Sequence, residues 1–459
     1  PSVKQIFQER LVKSKVMDQT EIETLDNHIY DLLEKALKET KKKSEKFRPD
    51  RPLAYSTDYY DGFDRKAETK VSIDELKKVV KGITQFPQSF SLNPKLSKHI
   101  AKRKELLTGN TQIDWAFAEA LAFGTLLTEK RPVRLSGQDS ARGTFSQRHL
   151  IFTDMNTEEE VLPHNFIEEG QAKIEALDSL LSEAAVLGFE FGYSISDPLA
   201  LVIWEAQFGD FANSAQVIID NFIVSSFTKW QLPNNLVMLL PHGQEGQGPE
   251  HSSARLERFL ILCAENNMYV CNPTTPAQYF HLLRRQIHKN ISEVNGAYEK
   301  PLVVLTPKSL LRLPAARSPI NDFTDGRFEE IINDNVAEIS RVTDVILTSG
   351  KIYYELNNFR VINKIDDRAI IRIEQYYPFN SELLKKLLQT YPNAKSIRWV
   401  QEEPQNMGAW NFLFPRLIKI IPDKLKLEFV GRQESPSPAS GSSKKFQISQ
   451  EEIIKKAFE

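Results

Sequence analysis

The 459 residues contain only two cysteines, Cys263 and Cys271, which excludes a disulfide framework and suits a reducing compartment, the cytoplasm or a comparable interior. Their spacing is poor for zinc ligation, so both read as buried structural thiols and no metal site is expected in the chain. An excess of charge of one sign is lacking too. Lys and Arg number 59 against 61 Asp and Glu, a net of −2, so no long-range field favours nucleic acid or an anionic membrane as partner. No run approaches the ~18 apolar residues that span a bilayer, and the start, Pro1-Ser2-Val3-Lys4, has no signal-peptide core. Also missing are a phosphate-binding loop ending in Gly-Lys-Ser/Thr, a nucleophile elbow and a helical His-Glu-x-x-His, and with them the usual nucleotide and hydrolase signatures.

What is present is ordinary globular composition, 41% apolar and 26% charged, in a chain long enough for two or three domains. Residues 1–50 read as helix: Thr20 and Glu23 have capping-box spacing, and Ile22, Leu25, Ile29, Leu32 and Leu33 follow at helical intervals. The basic stretch Lys41 to Arg48, ending at Pro49 and Pro52, reads as a solvated helix end and linker. Further helices are predicted after Ser72, with Glu75, and after Asn93-Pro94, through Leu106. From about residue 108 short apolar runs alternate with helical patterns: Pro132 to Leu135, Leu199 to Trp204, Leu236 to Leu240, Met268 to Val270 and Leu302 to Leu305. Such runs argue for a parallel sheet covered on both faces. After residue 320 a second set, Val342 to Leu347, Ala369 to Ile373, Ile397 to Val400 and Leu427 to Val430, predicts a smaller α/β unit. Ser435 to Ser443, SPSPASGSS, reads as a loose loop before a last helix at Glu451 to Phe458. The expected domains are a helical connector at 1–107 and two α/β units at 108–315 and 316–459.

Four polar stretches follow predicted strands or open helices. Pro241 to Arg255 holds His242 and His251 in a loop fixed by Gly and Pro, at the strand end where open α/β sheets bind ligands, each histidine either a site group or only a hydrogen-bonder that stabilises the loop. Ser136 to His149 mixes Gly with Asp139, Arg142, Arg148 and His149, either to steer an anionic substrate or as a surface loop tied by Arg–Asp pairs. Leu180 to Tyr193 sets Glu183 at a helix start. Flanked by Leu181 and Ala184 to Leu187, that acid is expected to be partly desolvated and suited to proton exchange, or else to be a helix-start acid favoured by the dipole. Trp204 to Asn213 carries Gln207, Phe208 and Phe211, whose rings either stack on a flat heterocycle or belong to the core.

Together RLSGQDSARGTFSQRH, SEAAVLGFEFGYS, WEAQFGDFAN, LLPHGQEGQGPEHSSARLERFL, TPKSLLR and QEEPQNMGAW resemble, in order, the thiamine-diphosphate-dependent component of the 2-oxoglutarate dehydrogenase complex. The resemblance implies two doubly wound α/β domains, a pyrimidine-binding fold and a transketolase C-terminal-type domain, after the helical connector. It implies oxidative decarboxylation of 2-oxoglutarate with reductive succinylation of a lipoyl group. Glu183 matches the glutamate on the aminopyrimidine ring; Gln207, Phe208 and Phe211 match its pocket; His149, His251 and His242 match histidines near the reacting carbon. Gln147 departs from relatives with His there, and Leu313 before Pro314 is a trait shared with the 2-oxoadipate branch, the alternative substrate class. The family's Gly-Asp-Gly stretch, which holds the diphosphate and Mg2+, has no match here; Gly209-Asp210-Phe211 belongs to another motif. With Pro1 in place of Met, upstream sequence is expected to have been removed. The implied partners are a diphosphate-binding half, a second protomer, a lipoyl-bearing succinyltransferase and the 2-oxo acid. A noncatalytic dimerisation or assembly module is the competing expectation.

Overall fold

Near-continuous apolar runs form the centre of a seven-stranded sheet. In a computed structural model describing residues 1–44, 67–109, 112–288, 300–335, 337–422 and 425–459, its parallel strands are β1 (Val133–Gly137), β2 (Ile174–Asp178), β3 (Leu201–Glu205), β4 (Val237–Pro241), β5 (Tyr269–Cys271) and β6 (Leu302–Thr306). A five-stranded sheet holds β7 (Ile331–Ile332), β8 (Asp344–Thr348), β9 (Arg368–Ile373), β11 (Ser396–Pro404) and β12 (Lys426–Arg432), in the order β7-β9-β8-β11-β12. The remaining strand, β10 (Gln375–Tyr377), leaves that region and pairs antiparallel with β5, so the first sheet runs β10-β5-β6-β4-β3-β1-β2.

Alternation along the strands divides the core. Val202, Trp204, Met238, Leu240, Val303 and Leu305 face one way and join Val345, Leu347, Ile371 and Trp399 of the second sheet in one apolar cluster. Leu201, Ile203, Leu239 and Val304 face the other way, under helices Ile73–Ile83, Trp115–Thr128 and Pro276–Ile287. Every residue of β3, β4 and β6 is buried, and each Val, Leu or Ile so buried contributes about 1.5–3 kcal/mol. Cys271 is buried in β5, and Cys263, partly buried, donates to the Phe259 carbonyl.

The described residues 1–44 belong to a unit of their own, with helices Val3–Lys13 and Gln19–Ser44. The capping box expected at Thr20 and Glu23 lies instead at Asp18 and Glu21. Asp18 Oδ1 accepts from the Glu21 amide at 2.8 Å and Glu21 Oε2 from the Asp18 amide at 2.9 Å, because Asp also caps well and its box starts the helix two residues earlier. Ile22 is buried, whereas Leu25, Ile29, Leu32 and Leu33 are exposed. Residues 45–48 of the basic stretch, with Pro49 and Pro52, lie outside the described residues. Ser72 and Asn93 cap their helices as expected. The last helix, Ser443–Ala457, begins earlier than its periodicity suggests, capped by Ser442. The SPSPASGSS segment is tied rather than loose, since Pro438 accepts from Gln244 Nε2 at 2.8 Å and Asn406 pairs with Ser435.

Candidate functional site

The loops leaving the carboxyl ends of β1, β3 and β4 converge because two glycines let them. A Cβ on Gly137 would lie 2.1 Å from the Glu205 carbonyl oxygen, and one on Gly209 would lie 2.5 Å from Ala254 Cβ and 2.7 Å from the Pro241 oxygen. Only glycine permits those approaches. They bring Gln138, the turn after Phe208 and the Pro241–Arg255 loop side by side.

Glu183 opens helix Glu183–Ser196, whose N-cap is Ser182. Its carboxylate sits where the helix dipole favours negative charge. Gln138 Nε2 donates to Oε1 at 3.1 Å and Ser214 Oγ donates to Oε2 at 2.8 Å. Each oxygen keeps room for a further hydrogen bond, and the side chain is only half-buried. Leu181, expected to help desolvate it, is instead 80% exposed. The helix start and two neutral donors hold the acid, not an apolar sleeve.

An aromatic wall stands next to it. Phe208 precedes the 3-10 helix Gly209–Ala215, which carries Phe211 and Ser214. The His251 ring meets Phe208 edge to face at 4.4 Å between centroids and Phe211 at 6.4 Å. Phe145 meets Phe208 at 5.7 Å and Phe211 meets it at 5.9 Å. Gln207 donates to Asp139 Oδ2 at 3.3 Å, joining this wall to the β1 loop. The structure thus gathers Gln207, Phe208, Phe211 and His251, with Glu183 attached through Ser214.

The other two histidines face elsewhere. His242 is bound on both ring nitrogens, to the Ala254 amide at 3.0 Å and to Glu403 Oε1 at 2.7 Å. His149 turns toward His99, ring centroids 5.7 Å apart, and its Nε2 lies 3.2 Å from the Ser146 carbonyl. Burial lowers the His149 pKa, aided by the Arg103 and Arg142 charges, against the opposing pull of the Ser146 carbonyl. Burial, with Arg103 beside it, takes His99 down to about 4. Gln147 Oε1 accepts from the Phe145 amide at 3.0 Å, closing the turn before His149.

Sequence reasoning missed Ser214, Phe145, His99 and Glu403. Ser214 lies three residues beyond Phe211, one turn of a 3-10 helix, a spacing that could have found it. Phe145 lies in the Ser136 to His149 stretch and Glu403 in QEEPQNMGAW, but neither stretch shows which partner its residue meets across the fold.

Residues 111–314 match the family described as "Transketolase, pyrimidine binding domain", and residues 317–458 match "2-oxoglutarate dehydrogenase C-terminal". Each of these stretches belongs to the domain family it matches, in that order along the chain. It is 47% identical over 397 residues to the 2-oxoglutarate dehydrogenase E1 component of Cupriavidus necator, covering 85% of this chain and 41% of that protein. It is 42% identical over 465 residues to the protein of the same description from Geobacillus sp. strain WCH70, and 40% over 462 residues to that from Bacillus subtilis. Those alignments cover 100% and 99% of this chain and 48% of each relative. The chain therefore spans about half the length of the curated relatives it matches. The pyrimidine-binding match takes in β1 to β6, so Glu183 and the aromatic wall lie in that domain, while Glu403 reaches His242 from the C-terminal domain.

Proposed function

We propose that the chain supplies the aminopyrimidine-binding face and C-terminal domain of a thiamine-diphosphate-dependent 2-oxoglutarate dehydrogenase, which decarboxylates 2-oxoglutarate and reductively succinylates a lipoyl group. The observation that carries this reading is Glu183, a carboxylate with unused acceptor positions held by Gln138 and Ser214 beside the Phe208–Phe211–His251 wall. That donor and acceptor set fits the edge of a flat heteroaromatic ring with an exchangeable proton. When bound, thiamine diphosphate supplies the carbon nucleophile and electron sink for decarboxylating a 2-oxo acid. Glu183 would hold and return a proton at its carboxylate oxygens, shifting charge at the ring edge. Phe208 and Phe211 exclude water from the ring, and Gln207 keeps their turn on the β1 loop. His251, with no side-chain partner but the aromatic rings among the described contacts, is the group free to meet the substrate carbonyl. His149 faces His99 rather than this wall, so no step is placed on it.

In this reading the diphosphate and Mg2+ belong to a separate diphosphate-binding portion, a second protomer completes the site, and a lipoyl-bearing succinyltransferase takes the product. The proposed setting is bacterial cytoplasm, as the relatives described above are bacterial; among the described residues no helix is long and apolar enough to cross a membrane. The test is calorimetric titration of thiamine diphosphate with Mg2+, with and without the diphosphate-binding portion, followed by acceptor reduction with 2-oxoglutarate or 2-oxoadipate. Weak binding alone and 2-oxoglutarate turnover on reconstitution are expected. Preference for 2-oxoadipate would reassign the substrate, and no turnover with either acid would overturn the reading.

A further inference from the structure

His242 is bound in a way that decides its hydrogen. The Ala254 peptide N–H donates to Nδ1 at 3.0 Å. A peptide nitrogen cannot accept, so Nδ1 is bare and the ring hydrogen sits on Nε2. From there it is donated to Glu403 Oε1 at 2.7 Å. Both side chains are buried, 8% and 12% exposed. Burial acts to raise the Glu403 pKa, yet the hydrogen bond from His242 and the nearby Arg432 charge prevail and hold it below the usual glutamate range, so the acceptor is a carboxylate. With both nitrogens engaged, the imidazole cannot exchange a proton without breaking one of these bonds.

The engaged ring ties three segments together. The His242 amide donates to the Thr306 carbonyl at the end of β6, and the Gly243 amide to the Ser252 carbonyl, each at 2.8 Å. Ala254, held by the ring, packs against Gly209 at the start of the 3-10 helix that carries Phe211 and Ser214. Lys308 Nζ donates to the His251 carbonyl from the loop after β6. Gln244 Nε2 donates to the Glu402 and Pro438 carbonyls, a second grip from the C-terminal domain.

We infer that Glu403 is a positioning residue: from the C-terminal domain it fixes the His242 tautomer, and through Ala254 it sets the loop that presents His251 to the aromatic wall. This rests on the proposed role of that wall, but only in its kinetic part. His242 is accordingly a strut of the site, and His251 carries the chemistry of this loop.

The test compares Glu403→Ala, Glu403→Gln and the parent protein together with its diphosphate-binding portion. Hydrogen–deuterium exchange of peptides covering 242–255 should rise about tenfold in E403A, the equivalent of one lost hydrogen bond to a charged group, while peptides over β4 stay protected. Gln still offers an acceptor, so E403Q should remain within about twofold of the parent. In turnover, kcat should fall about tenfold in E403A with KM for the 2-oxo acid unchanged, and E403Q should restore it. Unchanged exchange in E403A, exchange that rises equally in β4, or E403Q as impaired as E403A would each overturn the assignment. A parent protein with no 2-oxo acid turnover would end the functional reading, and the exchange comparison would still decide this one.

Discussion

Two carboxylate sites lie one loop apart and are built in opposite ways. Glu183 is half-buried and receives one neutral hydrogen bond on each oxygen. Glu119 and Glu205, beneath the β1 loop, are 3% and 5% exposed and share Arg148, itself 3% exposed. The guanidinium bonds Glu119 at 2.5 and 3.1 Å, Glu205 at 2.6 and 2.7 Å, and the Ser140 carbonyl at 2.7 Å, while Tyr279 donates to Glu119 at 2.7 Å. Burial raises the Glu205 pKa even against Arg148, and the two glutamates raise that of Arg148 in spite of burial. Acceptors saturated by buried partners make a scaffold for the loop; acceptors left with spare capacity at an open edge can serve a ligand.

The contrast breaks first at Glu183. Replacing it with Ala should cost about 10²–10⁴-fold in 2-oxo acid turnover, the range for a lost acid–base group, and leave stability within about 0.5 kcal/mol as a half-exposed position should. Steady-state kinetics beside urea unfolding would measure both. Normal turnover in E183A would remove the functional reading.

Arg148→Met should do the reverse. It strands two buried glutamates and should destabilise the protein by about 3–5 kcal/mol, seen as a lower urea midpoint; activity is then lost through folding of the β1 loop rather than through chemistry. A variant as stable as the parent would mean that the cluster is not the scaffold its geometry describes.

His99 belongs to the sealed side yet touches His149 at the rim, and pH reads it. Its folded pKa, about 4, lies below the ordinary 6.5, so the unfolded chain takes up a proton in a range where the folded one does not. Its contribution is complete above pH 6.5 and is lost as pH falls from 6.5 toward 4, at most about 3 kcal/mol. His281, at about 4, and His164, at about 3, act in the same direction. Urea unfolding across this interval should show a shallower slope for His99→Phe than for the parent; equal slopes would mean that the His99 proton is not excluded by folding.

The sequence made one side of the comparison far easier to read than the other. Apolar runs such as Leu236 to Leu240 must form strands buried on both faces, so β3, β4 and β6 were visible in composition alone. β2, at the sheet edge with burial alternating from Ile174 to Asp178, and β10, whose Gln-Tyr-Tyr lacks an apolar run, were not. The loops that carry Glu183, His251 and His149 stood out as dense polar stretches between strands. Their partners did not, because Glu403 lies 161 residues from His242 and Glu119 lies 29 from Arg148. Position in sequence says nothing of such pairings until the sheet order is fixed. Leu181 misled for a simpler reason: its neighbours in sequence are apolar, but it precedes the helix and points to solvent.

Ser214→Ala sharpens the contrast at its smallest scale. The hydroxyl has one hydrogen and two acceptors in reach, Glu183 Oε2 at 2.8 Å and the Phe211 carbonyl at 2.9 Å, so removing it costs Glu183 at most one neutral hydrogen bond. At a half-exposed carboxylate, where water can replace the donor, that is worth about 0.5–1 kcal/mol, a fall of a few fold in kcat measured beside E183A. Gln138 would still hold the other oxygen. If S214A instead lost as much activity as E183A, the orientation of the carboxylate would matter as much as its presence. Glu183 would then resemble the Arg148 cluster, a group whose value lies in being fixed, and its spare acceptor positions would no longer distinguish the two sites.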